Sequence, residues 1–174
     1  MTNNKFNPQH IISDLKRNKD VISHLLSNIA PNQYLYRENQ NKWNLLEVIC
    51  HLVDEEREDF VVRIKSVLKD PLQSLPSIDP VGWVKSRHYE NQDYNRKLNE
   101  WIELRNDNCS YLEQLKNVSW ENSFQHQHFG PLSAKLFLCN WLSHDYHHIR
   151  QIITIKRAYI IHSTGEPLDY AGNW

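Results

Sequence analysis

The amino-acid sequence predicts an all-α protein built as a four-helix bundle, and three observations carry that expectation. Only four of the 174 residues are glycine, which leaves little of the turn chemistry that a fold of many short strands requires. Apolar residues recur at helical spacing over long stretches, with polar residues between them. Four such stretches are separated by connections that carry prolines, at Pro31, at Pro71, Pro76 and Pro80, and at Pro131.

The first helix is expected over 9–29, with Ile12, Leu15, Ile22, Leu26 and Ile29 along one face and Pro31 beyond its end. A loop carrying Tyr34 and Tyr36 leads to Trp43. Asn44, with Glu47 three residues on, reads as the capping box that opens a second helix over 44–69, stopped before Pro71. Residues 70–90 hold three prolines and Gly82-Trp83, and read as a long irregular connection of the kind that usually has a function. A third helix is expected over 93–116, with Leu98, Trp101, Ile102, Leu112 and Leu115 facing the core. The next connection contains His126 and His128 and ends in Gly130-Pro131, after which Ser133 caps a fourth helix over 133–157. The expected organisation is one domain over 1–174, a length sufficient for one well-filled core.

Composition removes several function classes. Lys plus Arg total 20 against 21 for Asp plus Glu, so no basic excess favours a nucleic-acid backbone. No apolar run approaches the roughly 20 residues needed to span a bilayer, and Met1 to Gln9 is too polar for a secretory signal. The three cysteines, Cys50, Cys109 and Cys139, are too scattered for a disulfide framework. The expectation is a cytoplasmic protein acting on small molecules, with neither nucleic acid nor membrane as partner. Six tryptophans and eight tyrosines leave material for a homodimer interface along an exposed helix face.

The informative stretch is Ser143-His144-Asp145-Tyr146-His147-His148, inside the fourth helix. At about 100° per residue, His144 and His148 fall within about 20° of Phe137, at the centre of the stripe that should face the core. An imidazole pair at i and i+4 can chelate one divalent ion. The alternative is a pair of core histidines held by hydrogen bonds, each of which is desolvated unless partnered. His147 lies about 80° off the stripe, as a pocket wall or surface group. In the second helix His51, Glu55 and Glu58 share one stripe opposite Ile49, Val53, Phe60, Ile64 and Val67. Such a polar stripe is ordinarily a solvated face, so periodicity alone tilts against His51 as a ligand. His126 and His128 cannot be placed from spacing, and His10, His24, His88 and His162 read as surface residues. Cys50, beside His51, reads as a small core residue. The chain has no HExxH helix, no GxSxG elbow, no Glu-x-x-His pair for a di-iron bundle and no glycine-rich phosphate loop.

Taken together, these features resemble the DinB/YfiT-like family of small metal-binding four-helix bundles. Trp43 precedes the second helix, His51 opens the segment His51-Leu52-x-Asp54-x-Glu56, and Gly130-Pro131 leads into His144-Asp145-x-x-His148-x-x-Gln151-Ile152. The closing Leu168-Asp169-Tyr170-Ala171-Gly172-Asn173-Trp174 is similar to the tail of one branch. The resemblance implies that His51, His144 and His148 bind one divalent ion, which reverses the periodicity reading of His51. Zinc or nickel suits three imidazoles, with manganese or iron as further occupants. Three neutral ligands leave an open position, the pattern of a catalytic site using a bound water or thiolate. Glu55, one turn from His51, is the candidate catalytic carboxylate, as general base or as a group orienting a ligand; Asp145 or Gln151 would orient ligands on the fourth helix. Characterised relatives include transferases that activate a low-molecular-weight thiol such as bacillithiol or mycothiol, while others carry only the label of metal-dependent hydrolase. The implied function is therefore a metal-dependent thiol S-transferase or hydrolase, with residues 70–90, including Trp83, and the tail from Tyr170 to Trp174 shaping its pocket. The competing expectation is a non-catalytic, metal-stabilised binding or stress-response bundle.

Overall fold

The computed structural model describes residues 6–170 and 172. Helix α1 (Pro8–Leu26) starts at Asn7, whose side chain accepts from the N–H groups of Gln9 and His10, with Pro8 at the first helical position. It stops before the expected Ile29, because Ser27 is extended and Asn28 turns left-handed at φ 57°. A short α2 (Pro31–Tyr34) follows. Helix α3 (Leu45–Glu58) opens on the expected capping box, in which Asn44 and Glu47 each accept from the other's backbone N–H.

The expected second helix is two helices. At Asp59 the backbone leaves helical geometry (φ −111°, ψ −99°), and a separate helix, α4 (Phe60–Lys69), follows. The Asp59 carboxylate is bonded by Arg63, one turn further on. The break lets one stretch of chain serve two neighbours, since α3 packs on α6 (Tyr94–Gln114) and α4 packs on α7 (Ala134–Thr164). Helix α1 lies against α6 and α7. Thus α1 and the α3/α4 segment, consecutive in sequence, sit across the bundle from each other.

Three further elements replace expected loops. Residues 70–90 contain α5 (Pro80–Ser86), capped by Asp79, and a 3-10 turn at Tyr89–Asn91. The connection after α6 forms a hairpin, β1 (Ser123–His126) antiparallel to β2 (Gly130–Ser133), with Ser123 opposite Ser133 and His126 opposite Gly130. Helix α7 starts on the Ser133 cap as expected but runs about two turns past residue 157, until Gly165 takes the left-handed conformation (φ 74°) that ends it. Among the described residues no helix is long and apolar enough to cross a membrane.

The buried apolar residues form two clusters. One joins Ile22 and Leu26 of α1, the body of α3, Trp101 of α6 and Ile152 of α7. The other joins Ile12 and Leu15 of α1 with α4, Leu112 of α6, and Phe137 and Trp141 of α7. A polar layer separates them. Arg105 of α6, 1 % exposed, has its guanidinium over the rings of both Trp101 and Trp141. It donates to both carboxylate oxygens of Asp145 on α7 at 2.8 Å each, and through Nε to Glu56 of α3 at 2.8 Å. Glu56 also accepts from Trp141 Nε1 at 3.0 Å and from Asn108 at 2.8 Å. Burial alone would lower the Arg105 pKa, but the two carboxylates hold it above its ordinary value. Such a network persists in an apolar interior only because nearly every lone pair and N–H in it has a partner.

Candidate metal centre

The polar layer continues toward the surface into a group of three histidines. Helix α3 is buried around its whole circumference from Leu45 to Glu56, including His51, Asp54, Glu55 and Glu56. Its polar stripe therefore faces other helices instead of water, which corrects the reading from periodicity. A helical wheel assumes one solvated side, and α3 has neighbours on all sides: α2, α5, the 3-10 turn, α6 and α7. His51 is 4 % exposed. His144 and His148, one turn apart on α7, face it.

Their ring nitrogens converge. His144 Nε2 lies 3.3 Å from His51 Nε2 and 3.0 Å from His148 Nε2, and one donor atom from each of the three falls within 4.8 Å of the others. A neutral imidazole nitrogen either donates one hydrogen bond or accepts one, so His144 Nε2 can satisfy only one of its two contacts. His148 Nδ1 is 2.7 Å from the Gln151 side-chain oxygen, which only accepts; the proton of His148 thus sits on Nδ1 and its Nε2 presents a bare lone pair. Burial pushes all three imidazoles down, His51 to about 3, His144 to about 2 and His148 to about 4, and neighbouring imidazoles, His147 among them, push the same way. Three neutral rings with crowded nitrogens form a donor set that a cation would complete.

The spacing fits an ion. Nitrogens held about 2.0–2.1 Å from one metal are separated by about 2.9 Å at right angles and about 3.4 Å at the tetrahedral angle. Two of the three separations, 3.0 and 3.3 Å, lie within that range, and the third pair, His51 and His148, is within 4.8 Å. The set is three imidazoles without thiolate, a combination that suits zinc, nickel, iron or copper and leaves the ion's positive charge intact.

The surroundings are asymmetric. On the inner side, His51 Nδ1 is buried with no hydrogen-bond partner among the described residues, and the nearest carboxylate, Glu55 Oε1, is 3.9 Å away. Glu55 is itself 4 % exposed, and burial together with Asp59 pushes its pKa up to about 9. It therefore sits behind His51 and does not line the open side. Asp145 has no hydrogen bond to the three rings among the described residues; it is fully buried and bound to Arg105. On the outer side a cleft of about 390 Å³ opens over the rings, walled by Lys42, Trp43, Pro80, Val81, His147 and Gln151. Trp43 packs edge-on against His51, and His147 stands perpendicular to His148 with ring centres 5.0 Å apart.

Several expectations about the pocket need correction. The segment 70–90 does contribute, but through Pro80 and Val81; Trp83 is buried in the core beneath Arg87, whose guanidinium lies 4.2 Å from the ring centre. Of the expected tail, Tyr170 borders an apolar groove with Leu25, Ile153, Ile160 and Leu168, away from the histidines, while Ala171, Asn173 and Trp174 lie outside the described residues. His126 folds back so that Nδ1 accepts from the N–H groups of His128 and Phe129, closing the hairpin turn. Cys50 is buried and its thiol is pushed up to about 12, which suits a packing residue and not a nucleophile. Reasoning from sequence does not reach Arg105 or Lys42. For Arg105 a signal exists, because it shares a helix face with Leu98, Trp101, Asn108 and Leu112.

Comparison with known proteins places this geometry. Among curated proteins no match is found. Among solved structures the fold is similar to that of YfiT from Bacillus subtilis, described as a probable metal-dependent hydrolase with an unusual four-helix bundle topology; the match has a TM-score of 0.77 at 17 % identity and covers 90 % of this chain and 91 % of that one. The model of the DinB superfamily matches residues 14–152, a span that runs from α1 through all three converging histidines. The chain belongs to the DinB superfamily.

Proposed function

We propose that the protein is a divalent-metal-dependent enzyme of the hydrolase or thiol S-transferase type, with His51, His144 and His148 as the ligands. The observation that carries this reading is the convergence of three neutral imidazole nitrogens, at 3.0 and 3.3 Å, on the floor of an open cleft. A closed structural site would use a fourth protein donor, whereas this set leaves the cleft side free for a small molecule. When bound, the ion supplies Lewis acidity, lowering the pKa of a water or thiol in the cleft and polarising a substrate oxygen.

The chain's own residues set the geometry around that position. Gln151 fixes the tautomer and ring plane of His148. Glu55 stands one turn below His51 on its Nδ1 side, so its proposed role is to orient and polarise that ring rather than to take a proton from substrate. Trp43 and His147 wall the cleft beside the ligands and exclude water from part of it. Resemblance to thiol transferases favours a low-molecular-weight thiol as co-substrate, and likeness to YfiT, a probable metal-dependent hydrolase, favours hydrolysis; zinc and nickel are the proposed ions, and the cytoplasm the proposed location.

Metal content tests the reading directly. Protein purified without a nickel column is expected to carry about one equivalent of divalent ion, and His144→Ala little, with circular dichroism confirming that the variant is folded. Turnover is then assayed with electrophiles in the presence and absence of thiols, and with ester or amide substrates without thiol. Absence of metal in the wild type, with no uptake of zinc, nickel or manganese, would refute the proposal; metal retention without turnover in any assay would favour the non-catalytic alternative.

A further inference from the structure

The cleft over the histidines does not end at Gln151. A second cavity, about 280 Å³, shares Lys42, Trp43, His147 and Gln151 with it and extends along the outer face of α7. Its other wall is the chain that leads into α3, from Tyr36 to Trp43. Arg150 enters the lining only in this second part, beside Thr154 of the next helical turn, and Glu38 lies further along, where the cavity adjoins a groove toward His162. The order outward from the three histidines is therefore Lys42, Arg150, Glu38.

The charges along this path are uneven. Neither the Lys42 ammonium nor the Arg150 guanidinium has an ion-pair or hydrogen-bond partner among the described residues. Both residues line the second cavity, and among the described residues Glu38 is the one carboxylate in the lining of either cavity. The acids nearest the ligands, Glu55, Glu56 and Asp145, are all buried on the far side of the site. A solute entering the cleft thus meets two cations that have no ion-pair partner among the described residues, in addition to any charge at the histidines. Two cations and one carboxylate leave a single positive charge, which matches one carboxylate better than a doubly charged phosphate. An arginine fork accepts a carboxylate through paired N–H donors, and a lysine adds a flexible third.

We propose that Lys42 and Arg150 form a carboxylate-binding subsite, so that the molecule acted on at the three-histidine centre carries a carboxylate adjoining its metal-directed group. This rests on the metal-centre reading of the histidines, and it names two specificity-determining residues there. Neither residue is needed for metal binding. Both are exposed, so neutral substitutions remove no buried contact.

The test uses the full chain loaded with cobalt(II) and three small thiols differing in charge: mercaptoacetate, 2-mercaptoethanol and cysteamine. Binding is followed by the sulfur-to-cobalt charge-transfer absorption. Mercaptoacetate is expected to bind at least about tenfold more tightly than 2-mercaptoethanol, and cysteamine most weakly, as charge-assisted hydrogen bonds of this kind imply. In Lys42→Gln/Arg150→Gln the preference should fall to near one with cobalt content unchanged, and Arg150→Lys should keep part of it. Equal affinities for the three thiols in the wild type would overturn the proposal. So would an unchanged preference in the double variant, because chelation of cobalt by the carboxylate itself would not depend on Lys42 or Arg150. Failure to take up cobalt, or uptake with no charge-transfer band from any thiol, would instead overturn the metal-centre reading, and this proposal with it.

Discussion

Holding three imidazoles neutral in one buried cluster makes the metal-free protein sensitive to mild acid, by an amount that follows from their shifts. The folded-state values of about 3, 2 and 4 for His51, His144 and His148 lie below the unfolded value of 6.5. As pH falls through 6.5 the unfolded chain gains protons that the folded chain refuses, so stability is lost, and the loss continues until each folded value is reached. Between pH 7.5 and 5 each histidine should remove about 2 kcal/mol, or about 6 kcal/mol for three, comparable with the whole stability of many domains. Glu55 acts in the opposite sense. Its folded value of about 9 lies above the unfolded 4.5, so the folded form is favoured progressively as pH falls from 9 toward 4.5, returning about 3 kcal/mol over the same interval. The wild-type curve is thus a difference of opposed contributions, and variants separate them. Urea unfolding of chelator-treated protein at pH 7.5, 6.5, 6 and 5 should show His144→Leu losing stability less steeply than wild type, by about 1.4 kcal/mol per pH unit below 6. Glu55→Gln should lose it more steeply. Identical slopes in wild type and His144→Leu would refute the claim that the histidine cluster excludes protons in the folded state.

Three further outcomes follow from specific contacts. Arg105→Leu leaves Glu56 and Asp145 buried without their cation and should destabilise the fold by about 3–5 kcal/mol, read as a lower urea midpoint; a loss below about 1 kcal/mol would mean that the network is hydrated and not sealed. Gln151→Ala removes the acceptor on His148 Nδ1 and should weaken metal affinity about 10- to 100-fold in competition with a chelator, with the unfolding midpoint of metal-free protein little changed. Asn44→Ala removes the side-chain half of the capping box at the start of α3 and should lower stability by about 1 kcal/mol, with unchanged metal stoichiometry.

The bundle is legible in the sequence because its helices announce themselves locally. The Asn44–Glu47 box, the Ser133 cap, and apolar spacing in α1 and α6 depend on neighbours a few residues away. What the sequence hides depends on tertiary surroundings. No proline or glycine marks the break at Asp59, which arises where one segment must face α6 and then α7. The hairpin strands are four residues each, too short to show alternation. The last two turns of α7 are signalled by Gly165, the left-handed residue that ends them. His144 and His148 stand out because they interrupt an apolar stripe. His51 does not, because a wheel cannot distinguish a polar stripe in water from one enclosed by neighbouring elements, and only the resemblance to a family supplies it.

That enclosure explains how the centre can be set before any ion arrives. Arg105 binds Glu56 of α3 and Asp145 of α7 together, and these are the residues beside Glu55 and His144. One guanidinium on α6 thereby fixes the distance between the two helices that carry the histidines. The rings approach to 3.0 and 3.3 Å around His144 Nε2, which can satisfy only one of the two contacts, and the fold holds them there through contacts one layer deeper. An ion would then satisfy nitrogens already gathered, with little reordering of the chain to offset the gain. Arg105 should accordingly act on metal affinity as well as on stability. In an Arg105→Lys variant that remains folded, the looser single-point contact should weaken zinc binding while leaving all three ligands in place. Unaltered affinity in that variant would locate the preorganisation in the histidines' own packing, against Trp43 and Phe60, and not in the buried network.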